Sequence, residues 1–440
     1  MDSVDLTRDI THNTGRMSHR MHTLIAVFSR FCARTTPRGR GMMLLLAIML
    51  LFAIATGEGV LYRLGYFLTL VVVGSYVHPW SRLRRLEMRI EGKAHVVHVG
   101  EILKMHVYLR NHSRLQTGWV EIMLMSNMPG NVLGVATAIS AGGQQRLEMH
   151  TACYARGVYT IGPVVARTSD PLGLFRTEII QGNPTKVVVQ PPVVALPYFH
   201  LPVAERAGEE SIQYRSQTRT PQVATVREYI HGDTLNQIHW LSTARSGQLM
   251  SKEFDSGGGG SVWIVLDLER KSHHSQGTER TDEYAAAIAT SLTDLVLREE
   301  HSTGLIAYGD REYLLPLGGG AKQMSRVVET LTLSKTEGDS PLARVLGQNA
   351  GRFGTSVSLV VVTSSAATDW ISILRELRCR SLNIVVVLVD PASCGGKQSL
   401  GEVVLELVNA GIPAYVVHRG DSLACALSRP ATPDNRSIFK

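Results

Sequence analysis

Two apolar runs near the start of the chain place the strongest constraint on its fold. Residues 41–57 contain no charged side chain, and residues 60–77 contain only Arg63. A helix rises about 1.5 Å per residue, so each run covers most of a hydrocarbon core about 30 Å thick. A short polar break at residues 57–59 separates the runs. Residues 41–80 are therefore predicted to form a transmembrane helical hairpin in the lipid bilayer.

Two other interpretations of these runs are disfavoured. Core helices of a soluble protein are apolar on one stripe, whereas both runs are apolar all round. A cleaved signal peptide does not carry a basic tail as long as residues 1–40 before its apolar region. That tail is predicted to be flexible.

The charge distribution predicts the orientation of the hairpin. Residues 1–93 carry 13 Lys and Arg against 6 Asp and Glu, whereas residues 94–440 carry 32 of each. The net charge of +7 is thus confined to the flanks of the spans, which places both termini and the soluble domains on the cytoplasmic side of the cell membrane, with Glu58 at the outer tip. A nucleic-acid-binding domain would carry its basic stripe on a folded surface, so no nucleic-acid partner is expected.

The soluble chain divides into two folded domains joined by a connector. Short alternating segments separated by turn residues over 88–194 predict a small β-sandwich. Residues 195–256 are predicted to be a connector, rich at its start in Pro, Gln, Ser and Thr. Continuous apolar strands alternate with amphipathic helices over 257–425, which predicts a doubly wound α/β domain. Residues 426–440 form a C-terminal tail, and the fold class is multi-domain α+β.

Ligand sites in doubly wound sheets lie at the carboxyl ends of the strands. The residues at these positions are Asp267, Thr363-Ser364-Ser365 and Asp390. The glycine quartet at 257–260 precedes a strand and lacks the GxxxxGK[ST] spacing, so it predicts a flexible joint and not a phosphate loop. Five cysteines without a CxxC spacing favour a reducing compartment.

The most distinctive motif lies between the two predicted domains. Its residues are Arg227, Tyr229, Gly232, Asp233, Ile238, Trp240, Thr243, Ala244, Arg245, Leu249 and Glu253. This motif, called the signature segment below, resembles the signature of the DUF58 family. The segments Arg156-Gly157-Val158-Tyr159 and Asp170-Pro171-Leu172-Gly173-Leu174-Phe175 also resemble that family.

The resemblance implies a membrane-anchored protein with a β-sandwich and a von Willebrand factor A-like domain. Such proteins often accompany a MoxR-type AAA+ ATPase and a transglutaminase-like membrane protein, and no settled enzymatic activity comes with the family. Family members often carry basic residues where this chain has Asn236 and Leu241. The departure weakens any hypothesis of an anionic ligand at the signature segment.

The resemblance also indicates where a metal would bind. An A-like domain that binds a cation carries D-x-S-x-S after its first strand, and hydroxyl and carboxylate oxygens suit a hard cation. Here Asp267 is followed by Glu269 and Lys271 in place of the two serines, and Thr363-Ser364-Ser365 stands where a later Asp is expected. Asp267 is therefore a degenerate metal position, and neither a metal nor another cofactor is expected.

The signature segment has two interpretations. Gly232 suits a turn, Asp233 can cap a helix, Trp240 is a large apolar anchor, and Arg245 can pair with Asp233 or Glu253. As a structural clasp, these residues would pack a junction between domains. As a working surface, they would bind a protein partner. The leading hypothesis is a non-enzymatic adaptor, and the alternative is an enzyme of unknown class that uses Asp233, His239 and Arg245.

Overall fold

The computed structural model describes residues 34–91, 95–130, 134–199, 201, 223–228, 240–254, 260–354 and 357–431. The chain is a mixed α/β protein with two apolar helices near its N-terminus and several sheets. It forms two compact units. The first contains the residues up to His95, Glu101–Cys153 and Tyr159–Val187. The second contains Val96–Gly100, Tyr154–Val158 and the chain from Val188 onward.

The first unit begins with the helices α1 (Pro37–Thr56) and α2 (Gly59–Leu83). Thr36 caps α1, because its hydroxyl oxygen accepts a hydrogen bond from the Gly39 backbone N–H at 3.1 Å. Gly57 ends α1 in the left-handed conformation with φ of 72°, which glycine adopts at no steric cost. By length and composition, both helices can cross a membrane.

The two helices pack closely but leave most of their apolar surface exposed. A Cβ at Gly65 of α2 would lie 2.9 Å from Leu50 Cδ2 of α1, so the absence of a side chain permits the close approach. Other apolar side chains point outward, and Leu51 and Leu70 are 69% and 71% exposed. A core helix of a soluble protein would bury such residues. Exposure on this scale is typical of helices that meet lipid.

Two antiparallel sheets of the first unit contain the predicted short strands. One sheet has the order β1-β3-β6, formed by Leu86–Glu91, Ile102–Asn111 and Gln144–Ala152. In the other sheet, β4 (Val120–Ser126) pairs with β5 (Gly134–Thr137) and β7 (Gly157–Ser169), and β7 pairs with β8 (Arg176–Gln181). Residues of β7 are divided between the two units, as are those of β2 (His95–His98) and β9 (Thr185–Gln190). Alternate side chains of β3 are buried, namely Leu103, Met105, Val107 and Leu109.

The main sheet of the second unit has six strands in the order β16-β15-β12-β17-β18-β19. Their bounds are Ser261–Asp267 for β12, Ser302–Tyr308 for β15, Glu312–Gly318 for β16, Val357–Thr363 for β17, Asn383–Val389 for β18 and Ala414–Val417 for β19. The edge strand β16 is antiparallel to β15, and the other pairings are parallel. The remaining strands are the antiparallel pairs β10 (Val223–Glu228) with β11 (Met250–Phe254), and β13 (Ser275–Gln276) with β14 (Glu279–Arg280).

Helices cover both faces of the six-stranded sheet. Apolar residues of α4 (Thr281–Arg298) and α5 (Gly320–Leu333) share a core cluster with Ile264 of β12. Those of α6 (Leu342–Asn349), α7 (Asp369–Cys379) and α8 (Gly401–Asn409) share another cluster with Val265. Successive residues of a strand point to opposite faces, so two covered faces require the continuous apolar runs that the sequence shows. The short helices α3 (Trp240–Ser246) and α9 (Leu423–Ala426) complete the described α-helices.

Candidate functional site

The carboxyl ends of the parallel strands contain the residues that the sequence singled out. The strand order reverses between β12 and β17, since β15 follows on one side of β12 and β18 on the other side of β17. In doubly wound sheets, such a reversal marks the crevice at the strand ends where ligands bind, called the Asp267 crevice below. Asp267 ends β12 and Thr363 ends β17. The two residues therefore face each other at the switch point.

Asp267 is buried, and hydrogen bonds within the protein engage both of its carboxylate oxygens. The Thr363 hydroxyl donates to Oδ2 at 2.6 Å, and the Glu269 backbone N–H donates to Oδ1 at 2.9 Å. The Thr363 hydroxyl oxygen also accepts from the Ser365 backbone N–H at 2.9 Å. These contacts lock the ends of β12 and β17 together. A cation would have to displace them before it reached the Asp267 carboxylate.

The charged groups around Asp267 act in opposite directions on the pKa of its neighbour Glu269. Burial raises the pKa of Glu269, the nearby Asp267 carboxylate raises it further, and the Lys271 ammonium partly offsets both effects. Ser364 is also buried here, and its hydroxyl has no hydrogen-bond partner among the described residues. The described part of the chain contains no group of three or more His, Cys, Asp or Glu side chains suited to a metal. The expectation of a degenerate metal position stays a prediction.

A second polar pair lies at the same edge of the sheet, after β18 and β19. The His418 Nδ1 atom is 3.1 Å from Oδ2 of Asp390. The Asp390 carboxylate also accepts hydrogen bonds from the backbone N–H groups of Ala392 and Ser393, each at 3.1 Å. The sequence identified Asp390 by its place after a strand. It missed His418, although a histidine just after the last strand occupies an equivalent place.

The contact between Asp390 and His418 shifts the pKa of both side chains. Its hydrogen bond to Asp390 raises the pKa of His418 above 6.5. Burial works to raise the pKa of Asp390, but the His418 and backbone hydrogen bonds outweigh it and lower that pKa. Because the folded pKa of His418 is raised, its stabilising effect is present below the unfolded pKa and is lost as pH rises through the folded pKa.

Removal of the Asp390 charge should abolish this shift. In Asp390→Asn, the His418 ring should titrate at a lower pH than in the wild type, as followed by NMR of the ring protons. Asp310→Asn is the matched control, since the Asp310 carboxylate binds the Tyr313 hydroxyl instead of a histidine. An unchanged His418 titration in Asp390→Asn would contradict the ion pair.

The structure describes part of the signature segment. Tyr229, Gly232, Asp233, Ile238 and His239 lie outside the described residues, so the proposed pairing of Asp233 with Arg245 stays a prediction. Arg227 and Glu253 lie on the paired strands β10 and β11. The Thr243 hydroxyl oxygen accepts from the Met250 backbone N–H at 3.0 Å, and this bond fixes the turn between α3 and β11.

Trp240 is not a core residue of the described structure. Its side chain is 67% exposed, and the neighbouring apolar residues Leu241 and Leu249 are 61% and 46% exposed. Ala244 and Arg245 are exposed on the same helix. The choice between a structural clasp and a working surface stays a prediction, because Tyr229, Gly232, Asp233 and Ile238 lie outside the described residues. Burial requires a covering surface, which a sequence motif alone does not identify.

A buried ionic cluster holds the second unit together around Arg156, whose side chain is 2% exposed. The Arg156 guanidinium lies 3.2 Å from Glu283 Oε1 and 3.6 Å from Asp282 Oδ2. It also donates to the backbone carbonyls of Asp282 at 2.8 Å and Leu331 at 2.9 Å. These bonds tie the segment Tyr154–Val158 to the start of α4 and the end of α5.

The two carboxylates of this cluster respond differently to burial. Burial raises the pKa of Glu283. It would also raise that of Asp282, but the paired hydrogen bonds from Arg280 and the charges of Arg156 and Arg280 lower the Asp282 pKa to about 2. Asp282 is therefore the firmly ionised partner. The segment that begins at Arg156 was one of those that resemble the DUF58 family. No pattern in the sequence predicted that Arg156 contacts α4.

Comparison with known proteins identifies the region around the signature segment. Residues 225–409 match the family described as "Protein of unknown function DUF58". This region belongs to the DUF58 family. The predicted resemblance is thereby confirmed for these residues, which contain the signature segment, the Asp267 crevice and α4, whereas the segments at 156–159 and 170–175 lie outside the match.

A curated relative extends the similarity. The Uncharacterized protein YeaD of Bacillus subtilis (strain 168) is 24% identical over 229 residues, which cover 50% of this chain and 54% of that protein. The chain thus matches about half the length of this DUF58-type relative.

Among solved structures, the CARDB domain of the PF1109 protein from Pyrococcus furiosus is 16% identical. The match covers 24% of this chain and 86% of the CARDB chain, with a TM-score of 0.19. Proximal thread matrix protein 1 from the mussel byssus is 11% identical. The match covers 38% of this chain and 46% of that protein's chain, with a TM-score of 0.29. Scores this low bear on neither fold nor function.

Proposed function

We propose that the chain is a membrane-anchored adaptor that presents its DUF58 region to a cytoplasmic protein partner. Within the described residues, the exposed apolar side chains Trp240, Leu241 and Leu249 carry the proposal, because exposed aromatic and aliphatic groups are typical of protein-binding surfaces. The Asp267 crevice supports a non-enzymatic role, because its carboxylate is already engaged. The partner suggested by the family resemblance is a MoxR-type AAA+ ATPase, and a transglutaminase-like membrane protein is a further candidate.

The finer fold assignments are part of this proposal. In the first unit, the two antiparallel sheets support a β-sandwich. In the second unit, the strand order supports a von Willebrand A-like domain, because β12 is central and the order reverses beside it. The domain would be degenerate in its metal position, since Glu269 and Lys271 follow Asp267.

Loss of the exposed apolar residues should abolish partner capture without unfolding the protein. In Trp240→Ser combined with Leu241→Ser, both changes lie at exposed positions, so stability should change by less than about 0.5 kcal/mol each. The measurement is affinity purification of the full chain from native membranes, with the captured proteins identified by mass spectrometry.

The matched control for this experiment is Leu405→Ser. Leu405 is 45% exposed on α8, outside the signature segment. A MoxR-type ATPase should be captured by the wild type and the control, and lost in the double variant. Equal capture by all three proteins would refute the role of this surface.

Membrane anchoring with a cytoplasmic soluble region is tested by cysteine labelling. Cys394 is buried, so it is a poor reporter, but Cys379 and Cys425 are exposed. A membrane-impermeant thiol reagent should leave both unlabelled in intact cells and label them after the membrane is opened. A cysteine introduced by Glu58→Cys between the helices should be labelled in intact cells. Labelling of Cys379 in intact cells would reverse the proposed orientation.

A further inference from the structure

Four segments of the first unit meet at the open end of the helix hairpin. The Thr36 backbone N–H donates to the Leu174 carbonyl at 3.0 Å, which joins the start of α1 to the loop 170–175. At the other helix, a Cβ at Gly118 would lie 3.0 Å from the Arg82 guanidinium, which places the loop 113–119 beside the end of α2. α1 begins here and α2 ends here. These loops therefore lie at the level where lipid hydrocarbon gives way to headgroups.

The loop 170–175 is held rigidly by a buried aspartate. Asp170 accepts hydrogen bonds from the backbone N–H groups of Phe175 at 2.7 Å and Leu172 at 3.0 Å. Phe175 packs edge-on against Tyr76 of α2, with ring centroids 5.4 Å apart. Leu172, at the tip of the same loop, is 52% exposed. A rigid loop that holds a leucine outward beside the spans is suited to contact with the bilayer.

An exposed tryptophan lies next to this loop. Trp119 is 76% exposed. Its carbonyl accepts a hydrogen bond from the Thr168 hydroxyl at 2.8 Å, and Thr168 lies two residues before Asp170. Tryptophan is enriched at the membrane interface because its ring is apolar and its N–H can meet headgroups or water.

The charge of the surrounding surface complements an anionic bilayer. The described segments 34–40, 80–86, 113–119 and 170–176 contain one acidic residue, Asp170, which is buried and hydrogen-bonded. They contain six exposed arginines, namely Arg38, Arg40, Arg84, Arg85, Arg114 and Arg176. Arginines at this level are attracted to the anionic lipids of the cytoplasmic leaflet.

We propose that this end of the first unit lies on the anionic headgroups of the bilayer that holds the hairpin, with Leu172 and Trp119 inserted in the interface. The proposal rests on the membrane anchoring proposed above and adds a second contact with lipid outside the spans. Through this contact, the bilayer fixes the orientation of the first unit relative to the membrane plane.

Site-specific depth measurements test the proposal with the full chain in vesicles. A fluorescent amino acid is introduced by stop-codon suppression in place of Leu172, or of Trp119, in separate variants. The vesicles contain phosphatidylcholine and phosphatidylglycerol, with brominated lipids as quenchers. Both probes should show blue-shifted emission and be quenched by lipids brominated near the headgroup.

Two further probe positions separate the possible outcomes. Ile102 is 59% exposed at the far end of β3, about 30 Å along the strand from Asn111. The backbone after Asn111 binds Arg85, because the His112 N–H donates to the Arg85 carbonyl at 2.9 Å. A probe at Ile102 should therefore stay unquenched. A probe at Phe52, which is 59% exposed on α1, reports insertion of the hairpin.

The results distinguish this proposal from membrane anchoring itself. Quenching at Phe52 without quenching at Leu172 or Trp119 would overturn the surface contact and leave the anchoring intact. Absence of quenching at Phe52 would overturn both. Equal quenching at Ile102 and Leu172 would show that no particular end of the unit faces the bilayer, which also overturns the proposal.

Discussion

Arg156→Ala should destabilise the second unit by about 3–5 kcal/mol, since removal of one partner from a buried ion pair leaves uncompensated charge behind. The two acidic side chains that face Arg156 are both buried: the side chains of Asp282 and Glu283 are 6% and 10% exposed. Asp282 keeps a second cationic partner in Arg280. Glu283 is left without its guanidinium contact, so most of the penalty falls on Glu283 and on the three backbone carbonyls, of Asp282, Leu331 and Ser334, that Arg156 had satisfied.

The loss should be measured by urea unfolding of the full chain in detergent, with hydrogen exchange to locate the change. Amide exchange should accelerate in α4 and α5, which the guanidinium joins by its bonds to Asp282 and Leu331. The matched control is Arg298→Ala. Arg298 is 70% exposed and pairs with Asp294 one helical turn away, so its loss should cost only about 0.3–0.5 kcal/mol.

A double variant separates the lost charge from the lost volume. In Arg156→Met with Glu283→Gln, the acid that depends on Arg156 becomes neutral and an apolar chain fills the space. Replacement of buried ion pairs by uncharged groups is often close to neutral. The double variant should therefore be more stable than Arg156→Ala. If Arg156→Ala and Arg298→Ala unfolded at the same urea concentration as the wild type, the buried cluster would have no role in stability.

The elements of the second unit were predictable because their signals are local. The α/β domain predicted over 257–425 from apolar strands alternating with amphipathic helices contains, for example, the strand Ser261–Asp267 followed by the helix Thr281–Arg298. Each signal comes from a run of neighbouring residues: an apolar stretch for a buried strand, or a 3.6-residue period for a helix. Asp267 was found in the same way, because a polar residue directly after a buried strand marks the ligand-binding edge of the sheet.

Contacts between distant parts of the chain were not predictable. The Arg156 backbone N–H bonds to Glu283, 127 residues later, and no local pattern links the two. The exposure of Trp240 was not predictable for the same reason, since an apolar side chain does not itself indicate what covers it. The resemblance to the DUF58 family marked Arg156, Trp240 and Asp170 as notable. Only the structure shows that Arg156 lies in a buried ionic cluster, that Trp240 lies on an exposed surface, and that the Asp170 carboxylate stabilises a loop.

Phe175→Ala should have the second large effect, a loss of about 3–5 kcal/mol in the first unit, because a fully buried aromatic ring is replaced by a cavity. Phe175 is 1% exposed and shares a buried cluster with Leu174 of its own loop and Val72 of α2. Its ring also meets Tyr76 edge-on. The ring is thus one of the two apolar side chains, with Leu174, by which the loop joins the hairpin in this cluster.

The loss should separate the loop from the helices and leave the strands folded. Exchange of the Thr36 amide should accelerate, since its hydrogen bond to the Leu174 carbonyl depends on the position of the loop. Phe175→Leu retains most of the apolar volume and should recover much of the stability. The matched control is Ile180→Ala on β8, where the side chain is 54% exposed and the expected change is below about 0.5 kcal/mol.

The same variant shows whether the hairpin and the sheets fold as one cooperative structure. If they do, unfolding of the first unit in detergent should remain a single transition that shifts to lower urea in Phe175→Ala. If the transition instead splits in two, with the sheets unchanged, the Phe175 contact joins two independently stable parts. An unfolding curve identical to that of Ile180→Ala would contradict both, because it would mean that this buried ring contributes nothing to the attachment of the loop.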